Sequence, residues 1–312
     1  MILTKTPLRI SFVGGGSDRP SFYQEEPGAC VAAAIDKYVY VAVNPKYDGS
    51  IRAAYSIIEN VTTADQLQHE LIREALLMAD ECGVEIHSIA DIPAGTGLGS
   101  SSSFTVGLLA ALDGWDDPGH ADAQWLARSA CTIEIDRCAK PIGKQDQYTA
   151  AFGGLNLLGF TSQGVTVNPI ECDYATLSAH CLLLDTGLTR SGDAGTVLAS
   201  QQQDRDDVRE LARLAHDFAA ALSEGNALRC GVLMSVAWDI KRRFVANTQV
   251  DAWYWAALAA GAWGGKLCGA GGGGFLLFLA PPERHQAIVQ ALSLRHVPIR
   301  VGVKGCEVVY GL

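Results

Sequence analysis

The stretch Pro93-Ala94-Gly95-Thr96-Gly97-Leu98-Gly99-Ser100-Ser101-Ser102-Ser103 constrains this chain more than any other. It follows the β-branched run Val84–Ile89 and precedes the apolar run Phe104–Leu112, so it is expected to join a strand to a helix N-terminus. Glycines at 95, 97 and 99 free the backbone to turn its N–H groups into one concavity. The helix beyond adds unsatisfied N–H groups and a partial positive charge. Such a loop suits a triphosphate, and its hydroxyls suit Mg²⁺. A glycine-serine tract without those flanks would read as a flexible turn. The placement is what favours phosphate.

Two common nucleotide loops fail when tested. A Walker A loop needs G-x-x-x-x-G-K-[ST], but Gly143-Lys144 is followed by Gln145 and Gly265-Lys266 by Leu267. The pattern G-x-G-x-x-G does occur at Gly269–Gly274, yet it leads into Phe275-Leu276-Leu277-Phe278-Leu279, a strand-like run. A dinucleotide loop must open a helix instead.

With 312 residues the chain is long enough for two domains that share a cleft. An α+β pattern runs along it. A strand from Leu8 enters Gly14-Gly15-Gly16, Val31–Val43 reads as a second strand, and Asp65–Cys82 has helical spacing. Ala121–Ala139 and Asp146–Phe152 read as helices, with strands near 155–160 and 165–170. The character changes near Cys172–Ser178, which places a boundary between domains 1–173 and 174–312. Beyond it we expect a strand at Cys181–Asp185, a long amphipathic helix through Val208 and Leu222, and a terminal strand at Val301–Val309.

The net charge of -10 leaves no broad basic footprint for nucleic acid. No long apolar run suggests a membrane span, and the first residues lack a signal-peptide pattern, so a cytoplasmic location is expected. Nine cysteines without a CxxC pair read as reduced core thiols. The cluster Lys241-Arg242-Arg243 reads as a solvated helix end. Glu134 and Asp146 supply the two carboxylates that phosphoryl transfer can use, one for a metal and one for the hydroxyl proton. Read alone, both also fit ordinary surface positions, and Arg9 and Asp18 are as ambiguous.

Taken together, these segments resemble the GHMP kinase superfamily, named for galactokinase, homoserine, mevalonate and phosphomevalonate kinases. The resemblance runs from Pro7 to about Phe275 and carries three motifs in order: Pro7–Asp18, Pro93–Ser103 and Lys266–Gly274. It implies a ribosomal-protein-S5-like ATP-binding domain followed by a ferredoxin-like domain, with the active site between them. It further implies that Pro93, Gly95, Gly97, Leu98, Gly99, Ser100, Ser101 and Ser102 bind ATP, and that Ser101 and Glu134 hold Mg²⁺. Asp146 falls at the proposed catalytic base and Arg9 at the arginine beside it, which would favour its ionised form.

Gly15, Gly16, Ser17 and Asp18, with Gly271 and Gly272 of the third motif, fall on the acceptor side. Galactokinases carry Glu-His where Gly15-Gly16 stand here, which argues against galactose. The strings Gly14–Asp18, Ile35–Tyr38, Gly99–Gly107 and Gly143–Tyr148 are similar to the D-glycero-D-manno-heptose 7-phosphate kinases, which form the 1,7-bisphosphate. A sugar phosphate needs cations in the cleft; Arg190 leads the candidates, with Lys37 and Lys144 behind it. Another GHMP acceptor, such as a fucose-like hexose or a small alcohol, and a non-catalytic binding protein are the rival readings. A homodimer is compatible with the sequence, which does not fix the oligomeric state.

Overall fold

A computed structural model describes residues 1–114, 122–188, 204–245, 247–269 and 271–311. β1 (Ile2–Gly14) ends in a glycine turn, and the short helix α1 (Pro20–Tyr23) comes next. β2 (Gly28–Pro45) then returns antiparallel, pairing Ile2 with Val43 and Gly14 with Cys30. Small and β-branched side chains from Ala29 to Ile35 are all buried, so this strand can carry neighbours along its whole length. β3 (Ile51–Ala54) and β4 (Ile58–Val61) form a hairpin at the sheet's far edge.

Next come α2 (Glu70–Ala79), β5 (Val84–Ala90) and α3 (Ser100–Asp113). The helix expected from Asp65 starts later because residues 64–66 form a 3₁₀ turn and His69 caps the helix, its Nδ1 accepting from the Ile72 amide at 3.4 Å. α3 lies close on β1. A Cβ at Gly107 would stand 2.6 Å from Thr6 Oγ1, and Thr4 donates to the Gly107 carbonyl at 2.9 Å.

α4 (Ala123–Cys131) does not continue to Ala139 as one α-helix. It widens into a π-helical turn over Thr132–Arg137. α5 (Gln145–Phe152), β6 (Leu155–Thr161) and β7 (Gly164–Pro169) complete this part, β6 pairing with β2.

The second part opens with α6 (Tyr174–His180) and β8 (Cys181–Asp185). α7 (Arg205–Ser223) packs back on β1 and β2, with Phe218 stacked on Phe12 at 5.2 Å between ring centroids. After α8 (Ala227–Lys241) and α9 (Thr248–Ala259) come β9 (Gly264–Leu267) and β10 (Phe275–Leu279). α10 (His285–Leu292) and β11 (Arg295–Val297) complete an antiparallel sheet in the order β11-β8-β10-β9.

The last strand is β12 (Glu307–Gly311), not Val301–Val309. Gly302 at φ +80° breaks the run, leaving Val301 and Lys304 in isolated bridges. β12 returns to the first sheet and pairs with β1, Ile2 opposite Gly311. That sheet therefore runs β12-β1-β2-β5-β3-β4. Among the described residues no helix is long and apolar enough to cross a membrane.

Candidate active site

Between the two parts lies a cleft whose walls come from the ends of β1 and β9, the loop before α3 and the start of α5. Gly95, Gly97 and Gly99 take φ of +79°, +83° and +77°, and Gly99 is the N-cap of α3. Gly95, Gly97, Gly99 and Ser100–Ser102 face the cleft. Pro93 and Leu98 do not: Pro93 is exposed, and Leu98 is a fully buried anchor for the loop. Neighbours on both sides fix the loop's shape. Arg9 donates its backbone N–H to Leu98 O at 3.0 Å and Nη1 to Gly97 O at 2.6 Å. From the other side, Gly274 lies against the Thr96 backbone so closely that a Cβ would sit 2.0 Å from Thr96 O.

The same guanidinium grips Asp146 in the first turn of α5. Nε reaches Oδ1 at 2.7 Å and Nη2 reaches Oδ2 at 2.6 Å, a two-pronged ion pair. Burial alone would weaken the charge on Arg9, but Asp146 outweighs it and holds the group above its ordinary pKa. Arg9 thus joins the glycine-serine loop to the carboxylate.

Glu134 is fully buried on the π-helical turn and has no cationic partner among the described residues. Its oxygens accept from Ser101 Oγ and Ser102 Oγ, each at 2.7 Å, and from Gln147 Nε2. Burial raises its pKa, and the hydroxyl and amide donors hold it back. A buried carboxylate beside hydroxyls is a hard-oxygen donor set that fits Mg²⁺, which commonly takes one or two carboxylates plus phosphate oxygens. Among the described residues no three His, Cys, Asp or Glu side chains cluster as a self-sufficient metal site.

On the opposite wall, Gly14–Gly16 all have φ between +82° and +90°. Asp18 is buried there, accepting from the Gly16 amide at 2.9 Å and the Gln145 amide at 3.3 Å. Burial, then the nearby Asp146, push its pKa up. Gly143 touches this carboxyl so closely that a Cβ would fall 1.9 Å from Oδ2.

Several expected acceptor residues stand elsewhere. Ser17 is buried and spends its hydroxyl on Ala29, donating to O and accepting from N, both at 3.1 Å. Lys37 is outside the cleft lining and bonds to Asp36, whose carboxylate also takes Arg300. Gly271 and Gly272 do not line the cleft either; Gly271 packs on Val245, and Gly269 takes the lining position. Lys144 lies over the Tyr23 ring at 4.7 Å, in a separate cavity. Arg190 lies outside the described residues.

Four cations that the sequence reading does not single out for the site line the cleft: Arg19, Lys140, Lys241 and Lys266. Lys241, expected in solvent, donates to the Gly269 carbonyl at the cleft. Lys266 is buried and faces the cleft from β9. Alternation beside the core residue Leu267 would turn Lys266 outward, and it is buried because all four residues of the strand are covered.

Residues 61–154 match the family model for the GHMP kinases N terminal domain, and residues 218–297 the GHMP kinases C terminal model, together more than half of the chain. The chain is 27% identical to D-glycero-alpha-D-manno-heptose 7-phosphate kinase of Campylobacter jejuni, over 93% of each protein. It is 26% identical to mevalonate kinase of Methanothermobacter thermautotrophicus, over 80% of this chain and 83% of that one. Among solved structures, a D-glycero-D-manno-heptose 1-phosphate kinase from Bacteriodes thetaiotaomicron matches with a TM-score of 0.82 and 26% identity, covering all of both chains.

Proposed function

From the premise that this chain belongs to the GHMP kinase family, we propose that it phosphorylates the anomeric O1 of D-glycero-D-manno-heptose 7-phosphate, giving the 1,7-bisphosphate. Family membership itself makes the protein an ATP-dependent phosphotransferase that uses an alcohol group as acceptor. The heptose assignment draws on the relative that matches along 93% of both sequences. The observation that carries the mechanism is the bidentate Arg9–Asp146 pair beside the phosphate loop.

In this reading the amides of Gly95–Ser102 would hold the triphosphate, and Ser101 with Glu134 would hold Mg²⁺, which would supply charge neutralisation for the phosphates. Asp146 orients the acceptor hydroxyl. Its pairing with Arg9 fixes the carboxylate in place, and a carboxylate, itself a weak base, takes the proton as the new O–P bond forms and the β–γ bridge breaks to release ADP. A loose transition state tolerates a weak base because the hydroxyl needs little activation before attack. Asp18 and the Gly14–Gly16 backbone bind the sugar hydroxyls. Two glycines in place of long polar side chains leave room for a seven-carbon sugar.

The division at 173/174, a homodimer and a cytoplasmic setting remain parts of the same proposal. Nine free thiols support the last, and cell fractionation checks it.

ADP release should be measured with heptose 7-phosphate, free heptose, L-fucose, galactose and mevalonate, and the product read by ³¹P NMR. The proposal expects turnover on heptose 7-phosphate and a new anomeric phosphate. Turnover on free hexoses alone removes the heptose assignment, and ATP binding without turnover on any acceptor indicates a binding protein. Asp146→Asn should lower kcat about 10²- to 10⁴-fold with nucleotide affinity little changed.

A further inference from the structure

Lys266 is only 4% exposed, and what exposure it has is to the cleft. Other cations of the cleft act on groups of the chain: Arg9 pairs with Asp146, Arg19 acts on the Asp18 carboxyl, Lys140 pairs with Glu70, and Lys241 donates to the Gly269 carbonyl. The Lys266 ammonium makes no hydrogen bond or ion pair among the described residues. The groups that act on it electrostatically are Arg9, Cys30 and Cys268, with no carboxylate among them. Burial, with Arg9 adding to it, lowers its pKa to about 8. A buried cation beside a second cation is costly unless an anion arrives to share the site.

Its surroundings indicate which anion. Lys266 lines the same cleft as Gly14, Gly15, Gly16 and Asp18 of the acceptor wall. That wall is open there: a Cβ at Gly15 would meet only Gln145 Nε2, at 3.7 Å.

We propose that Lys266 is the residue that selects a phosphorylated acceptor, its ammonium binding the acceptor's own phosphate ester rather than the group being transferred. This rests on the sugar-phosphate reading of the site. It gives the cation role expected of Arg190 and Lys37 to a residue on the floor of the cleft.

Two measurements test it. With Lys266→Met, the ratio of KM for heptose 7-phosphate to KM for free heptose should rise at least tenfold, KM for ATP should move less than twofold, and Lys266→Arg should restore part of the ratio. Separately, calorimetric titration of inorganic phosphate into the protein saturated with a non-hydrolysable ATP analogue and Mg²⁺ should show binding in the wild type and in Lys266→Arg. Lys266→Met should lose it. Equal loss of kcat on both acceptors would assign Lys266 to the transferred phosphoryl group and overturn the proposal, as would a raised KM for ATP. Phosphate binding that is absent in the wild type, or intact in Lys266→Met, overturns it as well. If the wild type turns over no sugar phosphate, the heptose reading fails on its own, and the titration still decides the anion site.

Discussion

Gly95 and Gly99, and across the cleft Gly271, Gly273 and Gly274, all carry positive φ, yet a methyl group added at each would meet different surroundings. At Gly95 it meets nothing within 4 Å, and at Gly99 only the Arg9 side chain at 3.0 Å. At Gly271, Gly273 and Gly274 it would strike Val245 at 2.4 Å, the Leu188 carbonyl at 2.5 Å and the Thr96 carbonyl at 2.0 Å. The first set of glycines keeps space clear for a ligand, whereas the second lets two stretches of this chain lie against each other. The elements that the two sets lead into differ accordingly. The loop opens α3 and offers amides, whereas the glycine run enters β10 and locks the loop's rear.

Gly274→Ala attacks that lock most directly. We expect it to destabilise the protein by about 3 kcal/mol, since both the Thr96 backbone and the backbone at 274 must shift. Nucleotide affinity should fall with it; denaturant unfolding and ATP-analogue titration check both. If Gly274→Ala unfolds like the wild type, the run is not a brace.

Lys266 gives the next effect, through pH. Its pKa is about 8 when folded and near 10.5 when exposed, so below pH 8 the unliganded protein carries the full cost of a buried charge. Between those values the folded state sheds a proton that the unfolded state keeps, and stability rises with pH. Lys266→Met should therefore be more stable than the wild type at pH 7 by about 2 kcal/mol, with the gap closing towards pH 10. Arg9, Cys30 and Cys268 stay in both proteins, so the difference reports Lys266.

Gly143 extends the close-contact class to the acceptor wall. Gly143→Ala should displace the Asp18 carboxyl and raise acceptor KM about tenfold, a loss of about 1.4 kcal/mol, with KM for ATP unchanged. The smallest effect belongs to Gly95→Ala. Open space leaves only the positive-φ penalty, about 1 kcal/mol, visible as a slightly weaker ATP-analogue titration.

Much of the site was legible because local rules act there. A strand, three spaced glycines and an apolar helix placed Ser100–Ser102 at a helix start without any tertiary information. The lysines were not legible for the opposite reason. Lys37 has Asp36 as its chain neighbour, and Asp36 is shared with Arg300 from the far end of the sequence. Lys241 sits in a basic triplet that resembles a solvated helix end, but α8 stops beside Gly269. Lys266 faces inward because β9 is covered on both faces, which only the assembled sheet reveals. Ser17 reads as a sugar contact by adjacency to Asp18, yet the turn points the two side chains apart.

The pairing of β1 with β12 sets the order in which this protein can be completed. Arg9 and Gly14 belong to β1, yet one neighbour of that strand, β12, is translated long after it. Until then β1 exposes an unpaired edge, open to the wrong partner. The sheet that carries Arg9 is therefore completed only after β12 has been made. Pairing Ile2 with Gly311 closes a very long loop of the chain, an entropic cost that grows only slowly with loop length.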